Sequence, residues 1–349
     1  SNPRRCGRVR ITRLPAMFQE AGNRRLAAPL LQQRGGCSTL LKRRGGLALA
    51  LDASHLERRQ SHPLANPDCG ALAERFEVLQ ELGQGSSAVV YRARPREGGN
   101  EVALKVVRTK DEGLIEIARD EHELLRGLRH PNIIRAHESF TYSSGVVTVM
   151  ELFDGKSLEV AVDRAPGRRL PETACRVLFA GLAGALSYLH ERHVVHRDVK
   201  ASNILVADDL SDLRLVDFNT AQNALEGGAL TLTGTADYLP PEVIRGNSHS
   251  FGSDVWAAGL CLYLMVSGAK PLRLCAFGSR EAFAQAVVRR AEAPLEGGAW
   301  DEVSPQCKEV VQFCLKTELE KRAPAQQLPA CEWLSSSSPS VAGTIFADI

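Results

Sequence analysis

Apolar and polar positions fall into three regimes along the chain. Residues 1–70 hold no sustained period: paired arginines alternate with scattered Gly and Pro, and no apolar face forms. From Phe76 the pattern sharpens. The run "RFEVLQELGQGSSAVVYRAR" predicts strand, glycine turn, strand. "NEVALKVVRT" predicts a third strand, with Val102, Leu104 and Val106 on one face and Ala103, Lys105 and Val107 on the other. "EGLIEIARDEHELLRGLRH" then changes to helical spacing. Leu114, Ile117, Glu121, Leu124, Leu125 and Leu128 form one inward stripe, which Pro131 stops. "GVVTVMELF" predicts a further strand. Helical spacing dominates after it, as in "PETACRVLFAGLAGALSYLHER", with Pro171 in the first turn and Leu178, Leu182, Leu186 and Leu189 along one side. A strand-rich smaller part thus precedes a helix-rich larger part, an α+β, two-lobed layout.

Composition adds bounds. The chain has 349 residues, 44% apolar and 24% charged, an ordinary globular mix with room for one large or two smaller domains. The net charge of +2 conceals an asymmetry: residues 1–70 carry 13 Lys and Arg against 4 Asp and Glu, and the rest is mildly acidic. This basic segment is expected to be disordered. An organelle transit peptide and a contact with an anionic membrane or nucleic acid are the competing readings. "SHPLANPDCG" reads as a linker into the folded part, and "SSSSPSVAGTIFADI", residues 335–349, as a disordered tail. No apolar run reaches 18 residues, so no transmembrane helix is expected. The nine Cys show neither CxxC nor Cys/His ligand spacing, which fits free thiols in a reducing compartment.

The chemistry concentrates in a few short stretches. In "GQGSSAVV", Gly83 and Gly85 separate two strands, and glycine lets a backbone approach a phosphate closely. A plain β-hairpin turn looks the same. The strand after the glycines argues against a dinucleotide fold, which needs a helix there. Lys105 lies among Ala103, Leu104, Val106 and Val107, where an ammonium is costly unless an anion meets it. Glu121 is the candidate partner; a snorkelling lysine and a solvated glutamate are the alternative. "HVVHRDVKASNILV" is densest, with His196, Arg197, Asp198, Lys200 and Asn203 between two apolar runs. Asp198 is suited to accept a hydroxyl proton, Lys200 to neutralise a phosphate, and Asn203 to offer a neutral oxygen to a hard cation. In "LRLVDFNTAQ" the apolar run ends on Asp217, which offers a carboxylate to the same ion. A solvated polar loop explains one such cluster; two that bracket a short strand pair are hard to explain that way.

From Phe76 to Leu334 these stretches resemble the eukaryotic-type protein kinases, in the family's order and at its distances. The GxGxxGxV loop falls on Gly83, Gly85, Ala88 and Val90, and VAIK on Val102, Ala103, Leu104 and Lys105. The helix-C acid falls on Glu121, and HRDxKxxN on Asp198, Lys200 and Asn203. DFG appears as Asp217, Phe218 and Asn219, and APE as Pro240, Pro241 and Glu242, with Asp254 and Arg322 at the usual buried positions and Arg322 expected to pair with Glu242. The resemblance implies a bilobal fold with an N-lobe over 76–151 and a C-lobe over 155–334. It implies ATP and Mg²⁺ as cofactors. Leu82, Gly83, Gln84, Gly85, Ala88 and Val90 are then expected over the phosphates and base, and Lys105 on the α- and β-phosphates, paired with Glu121. Val90, Ala103 and Leu205 are expected to sandwich the adenine. Met150 stands at the gatekeeper position, followed by the hinge residues Glu151 and Phe153. Asp198 is expected to take the hydroxyl proton, and Asn203 and Asp217 to bind the metal.

Lys200 follows Asp198 by two positions, as in Ser/Thr kinases, and Thr235 stands where those kinases place a threonine that bonds the catalytic Asp and Lys. The implied partners are proteins that present Ser or Thr. Ser202 stands where many kinases that choose Arg-rich sites have Glu. Arg197 beside Asp198 resembles kinases switched by phosphorylation, with Thr231 and then Thr233 as phosphosites for an upstream kinase or for autophosphorylation. The stretch around Trp300, Val303 and Ser304 is similar to calmodulin-dependent and calcium-dependent kinases, although no EF-hand loop occurs. A cytoplasmic monomer with no nucleic-acid partner is expected, with an organelle as the alternative location. Ala88, Asn219 and Pro240 depart from the pattern and define the alternative function, a pseudokinase that binds nucleotide or acts as a scaffold. Asn219 is expected to take the positive φ that glycine would supply there.

Overall fold

A five-stranded antiparallel sheet, with the strands in the order Phe76–Gln84, Val89–Pro95, Val102–Arg108, Gly145–Glu151, Ala136–Tyr142, forms the smaller lobe of the computed structural model. The structure describes residues 70–85, 88–142, 144–224, 235–269, 277–292 and 294–335. The folded part opens with a short helix, α1 (Gly70–Arg75), six residues ahead of the boundary read from the sequence. Leu72 on α1 is fully buried against Phe76, Tyr91, Leu104 and Val147, so the helix plugs the outer face of the sheet. The strands are β1 (Phe76–Gln84), β2 (Val89–Pro95) and β3 (Val102–Arg108), then β4 (Ala136–Tyr142) and β5 (Gly145–Glu151) after the helix α2 (Glu112–Gly127). β4 carries polar residues at most positions and has no apolar alternation to announce it; its hydrogen bonds to β5 hold it in place.

The inward face of α2 differs from the predicted stripe. Ala118, Glu121, His122 and Leu125 are buried, whereas Leu114 and Ile117 are 39% and 45% exposed. The helix seats on the sheet through small Ala118, which meets Val107 and Val146, with Ile115 packed alongside. A small residue at the contact permits close approach and leaves Leu114 and Ile117 outside it. Asp111 caps the helix by accepting from the N–H groups of Gly113 and Leu114.

The larger lobe begins with β6 (Lys156–Ser157) and α3 (Leu158–Arg164), then the long helix α4 (Glu172–Glu191) with Pro171 as its N-cap. Leu178, Leu182, Leu186 and Leu189 are buried along α4, as their spacing predicts. Short strands follow: β7 (Val194–Val195), β8 (Ile204–Val206), β9 (Leu213–Leu215) and β10 (Gln222–Asn223). β6, β8 and β9 form one small sheet, and β7 pairs with β10. Gly155 leads into β6 at a point where a Cβ would lie 2.2 Å from the Val206 carbonyl oxygen, so only glycine fits. The lobe is completed by α5 (Pro241–Ile244), α6 (Phe251–Ser267), α7 (Arg280–Ala291), α8 (Pro305–Cys314) and α9 (Glu332–Ser335). α6 is apolar nearly all round and buried, as a central core helix must be. No helix among the described residues is long and apolar enough to cross a membrane. Cys175, Cys261, Cys307 and Cys314 are buried free thiols.

Candidate active site

β3 carries Lys105 to the α2 side of the sheet. Its Nζ donates to both carboxylate oxygens of Glu121 at 2.7 Å and to Oδ1 of Asp217 at 2.9 Å. Burial works against the charged ammonium, yet the two carboxylates outweigh it and the Lys105 pKa is raised. Asp217 shows the mirror case: burial favours its neutral form, but the Lys105 charge and hydrogen bond prevail and the carboxyl titrates lower than usual.

Glu121 does more than meet the lysine. Its Oε1 also accepts from the Phe218 N–H at 3.0 Å. The Phe218 ring is buried and meets the His196 ring edge-on, with centroids 4.6 Å apart. One carboxylate on α2 therefore fixes β3 and the segment after β9 together. The unusual backbone in that segment belongs to Asp217, with φ of 66°, and not to Asn219. The expectation of a positive φ at Asn219 is corrected: the left-handed residue is the aspartate, a residue type that tolerates this region, and the following turn uses ordinary backbone.

The residues of the loop from His196 to Asn203 gather around Asp198, which is buried. Lys200 Nζ donates to Asp198 Oδ2 at 2.6 Å and to Thr235 Oγ1 at 2.7 Å. The Thr235 N–H donates to Asp198 Oδ1 at 2.8 Å, and its hydroxyl lies 3.1 Å from the same oxygen. Asn203 turns its amide NH₂ toward Asp198, 2.9 Å from the carbonyl oxygen and 3.0 Å from Oδ2. A carboxylate so surrounded is held in one orientation.

The loop is anchored from below by Asp254 on α6. The N–H groups of His196 and Arg197 each donate to its carboxylate at 2.9 Å, and His190 Nε2 lies 3.0 Å from it. Despite complete burial, these donors keep the Asp254 carboxyl below its usual range. Burial lowers the His196 pKa, so its imidazole is neutral.

Asn203 and Asp217 bracket the β8–β9 hairpin. Ile204 pairs with Leu215, and the Val216 N–H donates to the Asn203 carbonyl at 2.9 Å. Hydrogen bonds engage the amide NH₂ of Asn203 and Oδ1 of Asp217. The atoms these bonds leave are an amide oxygen and a carboxylate oxygen, hard donors that suit Mg²⁺.

The remaining predicted positions lie along the strands and the hinge. Leu82, Gly83 and Gln84 end β1, and the Gly85 N–H donates to the Ala88 carbonyl at 2.8 Å, closing the loop between β1 and β2. The Ala88 methyl packs against the cluster of Val107, Ala118 and Val146, a contact that glycine lacks. Val90 is on β2, Ala103 faces Met150 across β3 and β5, and half-buried Leu205 is on β8. The Glu151 carboxylate accepts from Arg214 Nε and the Arg135 N–H at 3.1 Å, and the Phe153 ring lies under the Arg214 guanidinium. Thr231 and Thr233 lie outside the described residues, as do residues 1–69 and 336–349. Arg322 pairs with Glu242 as expected, at 2.7 and 3.1 Å. The sequence reading did not single out His190 or Gln222: each acts on a partner distant in the chain, and neither carries a local motif.

The protein kinase domain family matches residues 76–334. The chain belongs to the protein kinase family. It is 31% identical over 275 residues to human serine/threonine-protein kinase DCLK2, covering 78% of this chain and 35% of that protein. It is 31% identical over 268 residues to rat serine/threonine-protein kinase DCLK1, covering 76% and 61%. The Aurora kinase of Schizosaccharomyces pombe is 32% identical over 262 residues, covering 74% and 71%. The chain thus spans about a third of the length of DCLK2.

Proposed function

We propose that this kinase transfers the γ-phosphoryl group of ATP to Ser or Thr hydroxyls of proteins. The observation that carries the reading is the arrangement about Asp198, where Lys200 and Thr235 both reach one carboxylate oxygen or the other. Asp198 orients the attacking hydroxyl and accepts its proton. Lys200 sits at 2.6 Å from the same carboxylate and offers positive charge beside the transferred group. Lys105 holds the α- and β-phosphates, and its bonds to Glu121 fix the ammonium before nucleotide arrives. Glycines 83 and 85 let the backbone cover the phosphates, and Val90, Ala103 and Leu205 enclose the adenine. Asn203 and Asp217 hold Mg²⁺, which when bound neutralises charge on the phosphates.

The pseudokinase reading rests on three departures from the family pattern. Ala88 keeps the loop closed through its carbonyl and adds a packed methyl. Asn219 is not asked for a positive φ. Pro240 serves as the N-cap of α5 and stands where the pattern has an alanine, a residue without a polar side chain. None removes a chemical group, which favours the enzyme. The reading is tested by incubating the protein with Mg²⁺ and γ-labelled ATP and a mixed protein substrate, followed by phosphoamino-acid analysis. Label on phosphoserine and phosphothreonine is expected. Label on phosphotyrosine alone, or none, overturns it.

A further inference from the structure

Arg197 stands directly before Asp198 and holds an unusual backbone, with φ of 70°, which a bulky residue rarely adopts. Such a conformation persists when its surroundings fix it from several sides. One side is Asp254, which accepts from the N–H groups of His196 and Arg197. A second is Gln222, whose Oε1 accepts from Arg197 Nη1. Arg197 has further contacts besides.

Gln222 is itself fixed. It pairs with Val195 in the β7–β10 ladder, and Asn223 pairs with Val194. The Ala224 N–H donates to the His193 carbonyl at 2.7 Å, and the Thr220 hydroxyl to the His196 carbonyl at 3.1 Å. Residues 220–224 are thus stitched along the loop that carries Asp198. Gln222 also lies five residues after Asp217. One side chain therefore joins the segment bearing the proton acceptor to the segment bearing the metal-ligand candidate.

We propose that Gln222 is a positioning residue for phosphoryl transfer, its amide oxygen holding the Arg197 guanidinium so that Asp198 is aimed without a phosphate on the following segment. The proposal rests on the Ser/Thr kinase reading. An amide oxygen supplies what a guanidinium needs from a phosphate oxygen, a directed acceptor, and supplies it from within the ladder. Thr231 and Thr233 are then dispensable for basal activity.

The test compares wild type, Gln222→Ala, Gln222→Glu and the double variant Thr231→Ala/Thr233→Ala, each with and without phosphatase treatment. It reads kcat, KM for ATP and amide hydrogen exchange over residues 220–224. Gln222→Ala is expected to lower kcat by about tenfold or more with KM for ATP within about twofold, the signature of misplacement at the reacting centre. Exchange at the Ala224 amide rises in the same variant. Gln222→Glu retains an oxygen acceptor and restores both readouts. Phosphatase treatment and the double threonine variant leave wild-type kcat in place. Wild-type kcat and exchange in Gln222→Ala, or loss of activity on phosphatase treatment, overturns the proposal. If wild type transfers no phosphate, the kinase reading fails, and unchanged exchange in Gln222→Ala still removes the brace on its own.

Discussion

Asp217 takes the left-handed backbone of the segment after β9, and this decides what Asn219 can cost the molecule. A residue in ordinary backbone has no need of glycine, and glycine there adds freedom that folding must remove. Asn219→Gly is therefore expected to change the steady-state transfer rate by less than about threefold, and a rise from no activity to a robust rate would contradict this. The substitution was legible in the sequence; which of the three residues bears the strain was not, because φ depends on the Glu121 and Lys105 bonds that hold Asp217 and Phe218 from another element. His196 gives a second prediction at this scale. Its folded pKa lies below the ordinary value of 6.5, so the unfolded chain binds a proton that the folded chain refuses. Stability is expected to fall as pH drops below about 6.5. The melting temperature of wild type should decline between about pH 7 and 5, and His196→Asn should flatten that slope; an equal slope in both proteins would count against the assignment.

At the scale of elements, α2 and the loop that carries Asp198 show two degrees of legibility. The helical period of α2 could be read directly, and Glu121 with it. Its phase could not, because Ala118 rather than Leu114 or Ile117 makes the contact with the sheet. Apolar spacing identifies a face only when the neighbouring element accepts it. The loop from His196 to Asn203 could be read almost completely, since its motif is local and dense. Its anchor on Asp254, 58 residues from His196, needs the tertiary fold. Glu121 is where these elements meet, accepting from Lys105 and from Phe218. Hydrogen bonds to charged groups contribute about 1.5–3 kcal/mol, so Glu121→Gln is expected to lower kcat/KM by roughly ten- to a hundredfold. The measurement is steady-state kinetics with ATP varied, and a value equal to wild type would show that α2 does not set the site.

Across the whole molecule, the order of a strand-rich lobe before a helix-rich one was visible from periodicity alone. α1 and β4 were not: α1 is six residues long and β4 is largely polar, so each is fixed by what it packs or pairs with. The most consequential distant pair joins the segment after Thr235 to the end of the domain. Arg322, whose side chain is fully buried, donates to both oxygens of Glu242, to the Gly252 carbonyl at 2.8 Å and to the Lys316 carbonyl at 3.0 Å. It also lies over the Trp256 ring. Removing one partner of such a pair leaves a buried charge, a loss of about 3–5 kcal/mol. Arg322→Ala is expected to lose that much stability in urea unfolding, and a midpoint unchanged from wild type would contradict the role given to the pair.

The central claim is that the groups around Asp198 perform phosphoryl transfer despite Asn219. Its most direct test is the rate of γ-phosphate transfer to a Ser/Thr substrate by wild type and by Asp198→Asn, with the melting temperature of both recorded. Transfer by wild type and a loss of about a hundredfold or more in the folded variant is the predicted result. Equal transfer by the two proteins, or background signal from both, would contradict it.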